Sequence, residues 1–344
     1  MKVHLAAPAP AQRDPRALAR RAEAAGYDGL WLSEVQHDPF LAAALAASVT
    51  DRLDLGTSIA VAFARTPMST AVLAHDLQAL TGGRFLLGLG TQVRAHITRR
   101  FSMPWSRPAA RMREYVLALR AVWRAWDTGD RLDFAGEFYT HTLMPPAFAP
   151  EPHAFGPPPV LLAGVGPALT EIAGEVADGF LAHGFTTERY LRAVTLPALH
   201  RGRERSDDPR APLTVCGAPM IVTGRTEPEQ RAAATAVREQ VAFYASTPAY
   251  RPVLEQHGWG ELGDELHELS RAGRWADMPA LVDDDVLEAF AIVAAPEHVV
   301  AELDRRYGDL FDRLTVSLPY LVDDEVVDRI AAGVRALAPA GAMS

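Results

Sequence analysis

Gly83-Arg84-Phe85-Leu86-Leu87-Gly88-Leu89-Gly90-Thr91-Gln92 is the stretch that decides the fold. Between the Gly82-Gly83 turn and the polar run from Thr91, the segment Phe85 to Gly90 is apolar with no polar alternation. A strand of that kind is buried on both faces, as in a parallel sheet covered by helices. The helix before it opens on Thr66-Pro67, a capping residue followed by proline at the first helical position, and stops at Gly82-Gly83.

The same unit recurs outward in both directions. Apolar strands are expected at Lys2 to Ala6, Gly29 to Ser33, Leu53 to Val61, Phe85 to Gly90, Val160 to Ala163, Gly179 to Ala182, Leu213 to Val222 and Leu314 to Leu318. Helices alternate with them. One is capped by Asp14-Pro15, an alanine-rich one covers Pro39 to Val49, and a long one covers Pro108 to Trp126. Further helices cover Pro167 to Ala177 and Thr187 to Arg201. Thr226 and Glu229 have capping-box spacing. Pro296 opens an amphipathic helix with Val299, Val300, Leu303 and Tyr307, and a short helix closes the chain. Eight right-handed β/α units close into a TIM-type (β/α)8 barrel; the alternative is an open doubly wound sheet. Two stretches break the rhythm, Asp127 to Pro159, with a small hairpin at Phe134 to Tyr139, and an irregular region from Thr247 to Asp285. Both read as insertions within a single domain spanning 1–344.

The bulk numbers exclude several classes. With 344 residues, 49% hydrophobic and 22% charged, the chain has a soluble globular composition. A net charge of −9 argues against nucleic acid, which needs a basic surface. Cys216 is the only cysteine, which excludes intrachain disulfides and fits a reducing cytoplasm. The N-terminus lacks a signal-peptide layout, and no apolar run reaches the roughly 20 residues that span a bilayer, so no membrane partner is expected. Neither a His-Glu-x-x-His nor a Gly-x-Ser-x-Gly motif occurs, so no metal site and no hydrolase nucleophile are expected. The acidic run Asp283-Asp284-Asp285 reads as helix capping and solvated surface.

In such a barrel the chemistry lies at the C-terminal strand ends. After strand two stands Ser33-Glu34-Val35-Gln36-His37-Asp38, after strand three Ser58 to Arg65, after strand four Thr91-Gln92-Val93-Arg94-Ala95-His96, and after strand five Gly164-Val165-Gly166-Pro167. Glycine lets backbone approach a flat ring or a phosphate, or else only permits a tight turn. Gly164 and Gly166 precede a helix, whose first amides favour an anion. The glycine pairs Gly88/Gly90 and Gly164/Gly166 at ends of one barrel point to a flavin-like redox cofactor.

Several motifs carry a resemblance to a known family. They are Glu34-Val35-Gln36-His37-Asp38-Pro39-Phe40, Leu55 to Arg65, Gly83 to Gly90, Arg99-Arg100-Phe101-Ser102-Met103-Pro104-Trp105, Ala177-Asp178-Gly179-Phe180 and Tyr307-Gly308-Asp309-Leu310. Together they resemble the bacterial luciferase-like monooxygenase superfamily, in its branch dependent on the deazaflavin coenzyme F420. The resemblance implies a ring across the barrel mouth and a non-prolyl cis peptide at Ser58-Ile59 or Ile59-Ala60. It implies a cofactor phosphate at Gly164-Val165-Gly166-Pro167, with Gly88, Gly90, Thr91 and Gln92 beside the ring, and a homodimer. The chain also departs from the family. Deazaflavin-dependent sugar-phosphate and alcohol dehydrogenases carry Asp-His after strand two, where this chain has Glu34-Val35-Gln36-His37. Their glutamate after strand four is replaced by Gln92 and Val93.

His37 is the proton-transfer candidate, or else a structural histidine in a loop. Glu34 either orients a ring or substrate group or pairs with an arginine. Arg94, His96, Arg99 and Arg100 form a basic cluster suited to the phosphate and polyglutamate tail of F420 or to a substrate, or else pair on a helix face, as do Arg107, Arg111 and Arg113 further on. Phe101, Met103 and Trp105 lid the ring or pack beneath the loop. The leading expectation is hydride transfer between deazaflavin and a small organic substrate. The alternatives are an FMN-dependent monooxygenase and a non-catalytic flavin-binding barrel.

Overall fold

The computed structural model describes residues 1–6, 13–316, 318–320 and 323–337. Eight parallel strands form a closed barrel: β1 (Lys2–Ala6), β2 (Gly29–Leu32), β3 (Asp54–Thr57), β4 (Phe85–Gly90), β5 (Val160–Gly164), β6 (Gly179–Ala182), β7 (Thr214–Gly217) and β8 (Arg313–Val316). Strands adjacent in sequence are adjacent in the sheet; β8 pairs with β1, and Leu55↔Phe85 and Gly56↔Leu86 join β3 to β4. The open-sheet alternative is thereby excluded.

The helices are α1 (Pro15–Ala24), α2 (Pro39–Ala47), α3 (Pro67–Leu80), α4 (Pro108–Thr128), α5 (Pro167–Val176), α6 (Leu196–Arg203), α7 (Glu227–Ala245), α8 (Gly260–Arg271), α9 (Asp284–Phe290), α10 (Val299–Tyr307) and α11 (Asp324–Arg335). The side chains of Asp14, Asp38 and Thr66 cap α1, α2 and α3, each with proline at the helix start, and Thr226 with Glu229 forms the expected capping box on α7. Met112, Tyr115, Val116, Leu119, Val122, Trp123 and Trp126 are all buried along one face of α4.

A repeated device sets the register at the N-terminal end of the barrel. Asp28, Asp178 and Asp312 each stand just before a strand and accept the N–H that starts its neighbour, from Val3 at 2.7 Å, Val160 at 2.8 Å and Val215 at 2.8 Å. Each aspartate returns its own N–H to the same residue's carbonyl. This explains Ala177-Asp178-Gly179 without recourse to catalysis. Asp178 also pairs with Arg120 at 2.9 Å. Replacing Asp178 by alanine is expected to lower stability by about 2 kcal/mol, because a charge-assisted bond is lost and the Val160 N–H is orphaned. Chemical denaturation measures this, and an unchanged midpoint would contradict it.

Five expectations need correction. The strand expected at Leu53 to Val61 is broken at Ser58-Ile59, and its second piece, Ala60–Val61, pairs with Leu89 and Gly90. The strand expected at Leu213 to Val222 is two strands. β7 belongs to the barrel, whereas Met220–Val222 pairs outside it with Ala291–Val293, a strand not foreseen. Pro219, which has no N–H to give a ladder, lies at the break. The region Thr247 to Asp285 is not irregular but largely helical, containing Arg251–Glu255, α8 and the turn Trp275–Leu281. Those helices share a second core with α7, built on Val237, Val241, Leu266, Met278 and Phe290. The helix expected from Pro296 begins at Val299. The last expected strand, Leu314 to Leu318, is observed as Arg313–Val316, and its Ser317 lies outside the described residues. In the first insertion, Phe134–Ala135 and Thr140–His141 form the expected hairpin.

Candidate active site

The C-terminal strand ends surround a cavity of ≈ 250 Å³. Leu181 and Cys216 form its floor, Ala6, Ser58 and Thr315 its rim. Gln240 and Tyr244 of α7, four residues apart and so on one helix face, form the far wall with Met220. Beneath the cavity the barrel is filled by Trp31, Leu86 and Leu161 packed with Leu181 and Cys216. Burial pushes the Cys216 thiol up to about 12, so it stays protonated.

The peptide bond Ser58-Ile59 is cis, at one of the two positions the resemblance implies. The loop after β2 holds this segment. Glu34 donates its N–H to the Ile59 carbonyl at 3.2 Å, and its carboxylate accepts the Val61 N–H at 2.7 Å and Arg65 at 2.6 Å. Arg65 also bonds Asp38 at 2.7 Å. Glu34 therefore makes the arginine pair that was one of its two readings, and positions the cis segment. His37 stands exposed in the same loop, with no hydrogen bond from its ring among the described residues.

Gly88 and Gly90 serve the chain itself. A Cβ on Gly88 would lie 1.8 Å from the Thr57 carbonyl oxygen, and one on Gly90 2.9 Å from the Ile59 side chain. Their missing side chains are filled by strand β3 and the cis segment, rather than left open for a ring. Thr91 and Gln92 follow, half-buried. Gln92 adopts a left-handed conformation with φ 59°, its side-chain oxygen accepting the Val93 N–H at 3.0 Å.

The second glycine pair is different. Gly166 caps α5 without a side-chain hydrogen bond, and a Cβ there would meet nothing within 4 Å. The first-turn amides of Ala168 and Leu169 thus have no side-chain acceptor, and with Val165, Gly166 and Pro167 they shape an anion cradle. Tyr190 fixes this loop by donating to the Val165 carbonyl at 3.1 Å. The cradle fits a phosphate on the observed backbone alone.

The basic loop divides into two groups. Arg107 pairs with Glu137, Arg111 is buried against Tyr139 and the Pro104 carbonyl, and Arg113 pairs with Glu175. Arg94, His96, Arg99 and Arg100 are exposed around one turn of π-helix, His96–Arg100. Arg100 bonds the Val35 carbonyl at 2.7 Å, whereas Arg94 and Arg99 have no ion pair among the described residues. Phe101, Met103 and Trp105 pack against the core below the loop, Trp105 meeting Phe63 edge to face at 5.8 Å.

His183, immediately after β6, was missed, although the same strand-end rule extended from strand five to strand six would have selected it. Its Nδ1 accepts the Phe185 N–H at 3.0 Å, leaving the proton on Nε2, 3.4 Å from the Tyr250 hydroxyl. Tyr244 and Tyr250 flank the ring, each at 4.8 Å. Burial holds His183 neutral, its pKa pushed down to about 4, and His4 inside the barrel is pushed down to about 3. Both protonate near 6.5 when unfolded. Below that value the unfolded chain binds more protons, so stability falls as pH drops from 6.5 towards 4. Each histidine steepens the fall by up to about 1.4 kcal/mol per pH unit. Denaturation midpoints at neutral and mildly acid pH are expected to differ less in a His183→Gln variant; an equal difference would contradict this.

The family described as luciferase-like monooxygenase matches residues 2–313. An uncharacterized protein of Mycobacterium tuberculosis (strain ATCC 25618 / H37Rv) is 53% identical over 306 residues, covering 87% of this chain and 90% of its own. The F420-dependent glucose-6-phosphate dehydrogenase of Intrasporangium calvum is 29% identical over 332 residues, covering 91% of each. Among solved structures, the coenzyme F420 dependent tetrahydromethanopterin reductase from Methanopyrus kandleri superposes with a TM-score of 0.79 at 19% identity, covering 97% of this chain and 98% of its own.

Proposed function

The chain belongs to the luciferase-like monooxygenase family and is an oxidoreductase of that kind, and we propose from this premise that it uses the deazaflavin coenzyme F420 to reduce or oxidise a small organic substrate. The observation that carries the reading is one barrel end combining an uncapped α5 cradle, the mouth cavity beside the cis segment, and exposed arginines without ion pairs in a chain of net charge −9. The curated relative at 29% identity is named for the same coenzyme.

In this reading Val165, Gly166 and Pro167 with the α5 amides hold the phosphate. Ser58, Ile59, Ala60, Thr91 and Gln92 border the ring. Arg94, His96, Arg99 and Arg100 meet the anionic tail. The bound coenzyme supplies hydride transfer; the protein positions it and shields it from water. His37 is assigned to proton transfer on its place after β2, and Glu34 to holding the cis segment through Arg65. Exposed Leu41, Val72, Leu73 and Leu80 on α2 and α3 support a homodimer. Among the described residues no helix is long and apolar enough to cross a membrane; a cytoplasmic location belongs to the proposal.

Fluorescence titration of the apo-protein with F420 and with FMN tests the choice of cofactor. Micromolar F420 affinity is expected, and binding of FMN alone would establish the monooxygenase rival instead. Replacing Arg94 and Arg99 by alanine is expected to weaken F420 about tenfold and to flatten its salt dependence. The tail-less deazaflavin should bind both proteins equally; equal loss for both ligands would remove these arginines from the tail site.

A further inference from the structure

We propose that the pocket walled by Gln240, Tyr244 and Met220 admits an uncharged carbonyl or alcohol substrate and rejects phosphorylated or carboxylated ones. This rests on the oxidoreductase reading above and names the substrate class of the same site.

Among the described residues lining the mouth cavity there is no Asp, Glu, Lys or Arg. The positions outside the description, 7–12, 317, 321–322 and 338–344, hold no ionisable side chain in the sequence. Arg94 and Arg99 lie on the loop after β4 and not in this lining. A substrate phosphate buried here would have no cation to pair with, and burying an unpaired charge is strongly unfavourable.

The walls oppose charge of either sign. Burial keeps the Cys216 thiol protonated on the floor and His183 neutral behind Tyr244. What the pocket does offer is hydrogen bonding to neutral oxygen. The Gln240 amide and the Tyr244 hydroxyl line the cavity, and neither has a hydrogen-bond partner among the described residues. Around them the lining carries Met220, Leu181, Ala182 and Pro219, and Phe185 and Tyr250 pack against the Tyr244 ring, so an apolar face stands beside the polar groups. With Ser58 and Thr315 the lining is polar but uncharged: it can hydrogen-bond a neutral oxygen and has no cation for a phosphate.

The test uses the coenzyme-loaded protein and Prodan, an uncharged naphthyl ketone whose emission shifts to the blue in apolar surroundings. Coenzyme binding is first measured from the coenzyme's own fluorescence, so its failure is seen separately; Prodan is then titrated into the loaded protein, its emission corrected for that of the coenzyme. Saturable, blue-shifted Prodan binding is expected, displaced by cyclohexenone and not by glucose-6-phosphate. Gln240→Glu, which places a carboxylate in the wall at a half-buried position, is expected to weaken Prodan at least about tenfold while coenzyme affinity is unchanged. Three results would each overturn the proposal: no saturable Prodan binding, displacement by glucose-6-phosphate, or a Gln240→Glu variant that binds Prodan as tightly as the parent.

Discussion

Replacing Gly88 by alanine is expected to destabilise the barrel by about 3 kcal/mol or more, at the upper end of overpacking costs. The added carbon would lie 1.8 Å from the Thr57 carbonyl oxygen and 2.8 Å from the Leu181 side chain. The first obstacle is backbone, and it cannot rotate away. The Thr57 hydroxyl also donates to the Gly88 carbonyl at 2.7 Å, so β3 and β4 are tied at this point and must separate together. Separation would open the barrel where the cis segment begins. Gly166→Ala is the matched control. Its added carbon meets nothing within 4 Å, and its φ of −76° suits any residue. Its stability is expected to stay within about 0.5 kcal/mol of the parent. Equal denaturation midpoints for the parent and Gly88→Ala would contradict the packing described.

Gly166→Asp is expected to act in opposite directions on stability and on coenzyme binding. An aspartate at this position would cap the unpaired first-turn amides of α5 and sit at the favourable end of its dipole, raising stability by about 1 kcal/mol. The same carboxylate would occupy the cradle and repel a phosphate. Coenzyme affinity is expected to fall on the order of 100-fold, through the lost charge-assisted bonds and the added repulsion. The pair of readouts separates a ligand site from a structural turn. A stabilised protein with unchanged coenzyme affinity would place the phosphate elsewhere, and a destabilised one would mean that the loop is strained in a way the geometry does not show.

The barrel was legible because each of its strands is an apolar run set between helix start and stop signals. Asp14-Pro15, Thr66-Pro67 and Thr226 with Glu229 mark helix starts by chemistry that the structure repeats. The cis bond at Ser58-Ile59 was reached through resemblance, not periodicity. What stayed hidden depends on partners far along the chain. Hydropathy does not break at Ala218-Pro219, so the run from Leu213 to Val222 hides a change of sheet. Between Thr247 and Asp285, Leu262, Leu266 and Leu269 do mark one helical face on α8, but Gly258, Gly273 and Pro279 interrupt the segment, and its apolar residues find their partner only in α7, far along the chain. Gly88 looked like an opening for a ligand because a sequence shows a missing side chain but not the β3 carbonyl that fills its place. Gly166, identical in sequence terms, has open space instead. His183 carries no local motif; its significance comes from Tyr244, Tyr250 and the Phe185 amide, which tertiary packing brings to it.

The most direct test of the central claim is a crystal structure of the protein with F420. The account predicts the coenzyme phosphate within hydrogen-bond distance of the Ala168 and Leu169 amides, the ring over the mouth beside Ser58-Ile59, and the tail towards Arg94 and Arg99. A phosphate bound away from the α5 terminus, or a mouth that stays empty at saturating coenzyme, would contradict it.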